Sequence, residues 1–208
     1  QYYFEVYDND AINGPKKSQS RTFEFNAPTE EEIQQQQEIK TKSLKKQLEQ
    51  NVQLAKELQE DFEDLRMKLL NKEELSWEDR QQVSEILEKQ KKLEKSIDDV
   101  SEKNKENNAQ LNEFSEQDKR IIEKQKQLEE LMEELMTQEM RDLFDEMEEM
   151  MEEMKTEEWM KKLEEFQMSN EDLEKELDRN LEMLKKFEFE QALEESIEKL
   201  KEIIDQQE

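Results

Sequence analysis

The chain has 208 residues, 32% hydrophobic and 44% charged, with a formal net charge of −27. So little apolar material excludes a thick globular core and leaves narrow apolar stripes on helices as the way to close a fold, while the charge excludes nucleic-acid phosphates and anionic lipid as direct partners. Histidine and cysteine are absent and Gly14 is the only glycine, so no material exists for the usual nucleophile and base pairs, thiolate metal sites or phosphate-cradling loops.

In residues 1–28, Tyr2, Phe4 and Val6 alternate with Tyr3, Glu5 and Tyr7, and Thr22 to Phe25 alternates again. Asp8-Asn9-Asp10 and Asn13-Gly14-Pro15 supply turn chemistry between them, so the pattern predicts a β-hairpin. Two strands are marginal alone, so the hairpin is expected to complete a β-sandwich whose other strands lie upstream, or else to pack on the helices. An opening inside a strand without Met fits the end of a larger β-domain. The oxygen-rich turn fails the helix-loop-helix calcium pattern, with Ile12 at a ligand position and no closing Glu, and reads as a strand end.

From Thr29 onward the text is helical. Four capping boxes mark starts: Thr29 with Glu32, Ser76 with Asp79, Ser115 with Asp118, and Ser169 with Asp172. They predict helices near 30–71, 77–114 and 116–155, a short piece carrying Trp159, Leu163 and Phe166, and a last helix near 170–206. Leu44, Leu48, Asn51, Ala55, Leu58, Phe62, Leu65 and Leu69 recur at steps of four and three on the first helix. Val83, Ile86, Gln90, Leu93, Ile97, Val100, Asn104, Asn107, Leu111 and Phe114 continue the pattern on the second. This strict period separates the chain from a disordered one of similar composition. Polar Gln90, Asn104 and Asn107 either fix register or mark ends and hydrated gaps. Lys72 to Ser76 suffices only for a turn, so the first two helices should fold back on each other, as a rod on the order of 60 Å long at a rise of about 1.5 Å per residue. Trp77 and Trp159, each near a first turn, are expected to anchor helix ends.

Nine of the eleven methionines lie between Met132 and Met168, and residues 129–158 hold fourteen acids against Arg141 and Lys155. Met136, Met140, Leu143, Met147, Met150 and Met154 form a stripe one residue out of phase with Leu128, Met132 and Leu135. These six are the candidate partner-binding residues: adaptable thioethers on an acidic helix could hold an apolar basic segment, as a chaperone does. The competing account makes them bundle core and the glutamates a solvated face. Copper ligation by thioethers has no His or Cys to join it.

The stretch YFEVYDNDAINGPKKSQSR from Tyr3 to Arg21, with LLNKEELSWED from Leu69 to Asp79 and LKKFEFEQALEESIEKLKEI from Leu184 to Ile203, resembles a family of large bacterial envelope proteins of unknown function. The resemblance implies N-terminal membrane helices, an immunoglobulin-like β-domain and a long coiled-coil region, in a membrane-tethered, periplasmic setting. The expectation is therefore a mainly α chain, a long antiparallel coiled-coil-like helical bundle preceded by a β-hairpin from a β-sandwich domain. Residues 1–28 are the terminal hairpin, 29–114 a long helical hairpin and 115–208 an acidic, Met-rich helical region. The expected role is non-enzymatic, a spacer or scaffold with protein partners and possible homo-oligomerisation, without cofactor, metal or nucleic acid.

Overall fold

The computed structural model describes residues 1–9, 14–24, 29–70, 72, 74–114, 119–149 and 156–205. The chain is mainly helical with a small antiparallel sheet at its N-terminus: β1 (Glu5–Tyr7), β2 (Lys17–Gln19), α1 (Glu30–Leu69), α2 (Trp77–Phe114), α3 (Lys119–Glu133), α4 (Gln138–Glu149) and α5 (Thr156–Asp205).

The hairpin closes where Asp8 donates its N–H to the Lys16 carbonyl at 3.0 Å and its carboxylate accepts the Lys16 N–H at 2.7 Å. Gly14, at φ +86°, supplies the left-handed backbone this return needs. That closure sets Tyr7 opposite Lys17 and Glu5 opposite Gln19. The second strand is thus Lys17–Gln19 rather than Thr22 to Phe25, because alternation marks faces while the turn decides pairing. Phe23 still meets Tyr2 in an isolated bridge, one residue out of the β1–β2 register, so a bulge lies between. Tyr2 stacks on Phe23 at 5.4 Å with Phe4 edge-on at 5.9 Å, yet Tyr2, Phe4 and Val6 stay exposed. The helices do not cover this face.

Thr29 caps α1 reciprocally: its Oγ1 accepts the Glu32 N–H at 3.2 Å and its own N–H donates to Glu32 at 2.9 Å. The Ser76 and Asp79 box forms in the same way at the head of α2. Ser115 and Asp118 lie outside the described residues. Lys68 reaches Gln82, Lys89 reaches Asp61, Ser96 reaches Asn51 and Lys103 reaches Gln47, so numbers rise on α2 as they fall on α1 and the two run in opposite senses. The same holds for α1 and α5 through Asn170 to Gln59 and Lys45 to Glu188.

Every predicted α1 position from Leu44 to Leu69 is at most 2% exposed, and those on α2 from Val83 to Asn107 are buried as well. Asn51 accepts from the Ser96 hydroxyl at 2.6 Å. Gln90, Asn104 and Asn107 are buried too, Gln90 in mid-helix and the two asparagines in the last turns of α2. Trp159 is buried as expected, but Trp77 is 76% exposed and anchors nothing, because the apolar contact at this turn is made by Leu75.

Two boundaries differ. The predicted helix 116–155 is interrupted at Glu134–Thr137 into α3 and α4. The predicted start at Ser169 is absent, since α5 runs through it for 50 residues. A capping box starts a helix only where the preceding chain cannot continue one, and here Trp159, Leu163, Phe166, Asn170, Leu173 and Leu177 carry one unbroken buried period across the site.

Candidate functional site

The break at Glu134–Thr137 answers the phase slip between Leu135 and Met136. Thr137 restarts the helix, its Oγ1 accepting the Met140 N–H at 3.3 Å and its carbonyl the Arg141 N–H at 3.2 Å. Re-phased, α4 turns Met140, Phe144 and Met147 inward, with Met136 buried just before it. Leu143 is only partly buried against the same core. Met150 and Met154 lie outside the described residues. Phe144 was not among the predicted stripe positions. Its signal is the four-residue step from Met140, which suits the 3.6-residue period of a short straight helix better than a heptad does.

Phe144 packs edge-on to Phe166 at 4.5 Å, and Phe166 to Phe62 at 4.3 Å, so three rings join α4, α5 and α1. Such pairs add about 0.5–1.5 kcal/mol each beyond their buried area. Around this node α4 is clamped by charge. Arg141, its only base, holds Asp98 of α2 at 2.8 Å and also pairs with Glu94. Lys91 of α2 holds Glu148 at 2.6 Å, and Lys162 of α5 holds Glu146 at 2.7 Å. Each cation is pushed above its ordinary pKa, Arg141 chiefly by Asp98, Lys91 by Glu148 and Lys162 by Glu146.

Burial of Met136, Met140 and Met147 by the chain's own helices supports core packing over an open groove. No group of three or more acids among the described residues is arranged to hold a metal ion. The depression lined by Asp61, Glu78, Glu85 and Lys89 is shallow and polar. No helix among the described residues is long and apolar enough to cross a membrane.

The class this geometry defines is a mainly helical chain with one core of buried apolar side chains contributed by several helices and a small exposed antiparallel sheet at the N-terminus. No family model, curated protein or solved structure matches the chain.

Proposed function

We propose that the chain is a non-enzymatic spacer or scaffold, a long antiparallel coiled-coil-like helical bundle that holds protein partners apart or together in a bacterial envelope assembly. The observation that supports this is where the periodic apolar side chains go: Leu44, Leu48, Leu58, Leu65 and Leu69 of α1 and Trp159, Leu163, Phe166, Leu173, Leu177 and Leu184 of α5 are buried, as helices packed lengthwise in a rod require. The exposed face of Tyr2, Phe4 and Val6 supports a hairpin belonging to a β-sandwich domain. The likeness around Tyr3 to Arg21 supports a periplasmic setting, with any membrane tether in segments outside this chain.

Small-angle scattering tests the shape. A 50-residue helix spans about 75 Å, so a maximum dimension at or above that is expected, whereas a radius of gyration near the ~17 Å of a compact chain of this length overturns the rod. Replacing Met140 and Met147 together with Asp separates scaffold from peptide-holding groove. Core packing requires a large drop in helicity and melting temperature; an unchanged fold that loses affinity for an apolar basic peptide would establish the groove.

A further inference from the structure

The buried strip of α5 advances by fours and threes through Leu173, Leu177, Asn180, Leu184 and Phe187. Continued, it falls on Gln191, Glu194 and Lys201, all polar. On the facing part of α1 the strip is polar too, at Thr41 and Gln37. The apolar residues of this last stretch are instead Leu193, Ile197, Leu200 and Ile204, each one residue ahead of the buried phase and hence turned about 100° round the helix. They are 50%, 43%, 59% and 59% exposed, with Phe189 and Ile203 exposed beside them.

We infer that this stripe is a dimerisation seam that pairs with α5 of a second copy of the chain, in parallel. It stands on the end of α5 and not on the spacer role. Three observations choose the occupant. The steps four, three, four place Leu193 and Leu200 at d, Ile197 and Ile204 at a, and β-branched a with Leu d is the pattern of parallel two-stranded pairing. The positions flanking the seam hold Phe189, Glu194, Ser196, Lys201 and Ile203, so in parallel register no acid faces an acid although the segment is acidic overall. Leu193, Ile197, Leu200 and Ile204, with Phe189 and Ile203 flanking them, leave 43–70% of their surface uncovered along one continuous stripe, apolar surface on the order of the ~600 Å² per partner at the lower limit of a specific interface.

Sedimentation equilibrium of the whole chain between about 1 and 100 µM is expected to show the mass rising twofold from 25.4 kDa. Ile197→Asp with Leu200→Asp should hold it at the monomer mass with helicity unchanged. Because the sequence has no cysteine, Ile204→Cys under oxidation should cross-link to its own copy only in the parallel arrangement. A monomer throughout, a dimer that the aspartates leave intact, or a dimer that Ile204→Cys does not cross-link each overturns the proposal. Loss of helicity in the aspartate variant of a monomeric chain would mean that the stripe is covered from within, and overturns it as well.

Discussion

The apolar period slips by one residue in two places, and the molecule answers in opposite ways. At Leu135 to Met136 the helix breaks, and Thr137 restarts it with Met140, Phe144 and Met147 facing the core. Beyond Phe187 the helix continues, and the slipped residues are carried out to solvent. The difference lies in what waits on the inner side. Behind α4 stand Phe62 and Phe166, whose burial contributes more than a short interruption costs; behind the end of α5 stand Thr41 and Gln37, which offer nothing to bury against. A slip is thus repaired only where an apolar neighbour rewards the repair.

The largest effect should come from the node that the repaired slip builds. Phe166→Ala removes the ring between Phe62 and Phe144 and should cost about 3–5 kcal/mol of unfolding free energy. Leu200→Ala in the unrepaired stretch should stay within about 0.5 kcal/mol at concentrations where the chain is monomeric. Urea unfolding of both reads the contrast; equal losses would remove it.

The same contrast separates a capping box that starts a helix from one that is overridden. Asp79→Ala should cost about 1–2 kcal/mol, since that carboxylate serves the Ser76 N–H and hydroxyl and the Lys72 ammonium, while Asp172→Ala, inside α5, should be near neutral. Burial alone would raise the Asp79 carboxyl, but Lys72 and Ser76 together hold it below the usual range. With a folded pKa below the unfolded one, its contribution is present above the unfolded value of about 3.9 and is lost as pH falls through the folded value. The gap between wild type and Asp79→Ala should therefore close in acid, below about pH 4; a constant gap would show that the charge is not the stabilising element. A smaller effect than at Asp79 is expected at the break, where Thr137→Ala should cost about 1 kcal/mol or less, read as added fraying of α4 by amide hydrogen exchange.

Along α1 and α2 the sequence was legible position by position, from Leu44 to Leu69 and from Val83 to Asn107, because a stripe of one period on a long helix has one way to be buried. Thr29 with Glu32 and Ser76 with Asp79 were legible because a cap is satisfied within four residues. Ser169 with Asp172 carries the same signature, but a helix already packed on both sides of it has no reason to restart. Phe144 and the exposed Trp77 were not readable either, since a ring's fate depends on what stands opposite.

By itself, then, the sequence determined that these residues would be helical, where the turn at Gly14 falls and which face of α1 and α2 is apolar. Those properties depend on neighbours a few residues away. The tertiary structure alone decided which phase slip breaks a helix, which ring closes the node at Phe166 and which stripe is left to water, because each turns on whether an apolar side chain from a distant part of the chain stands opposite.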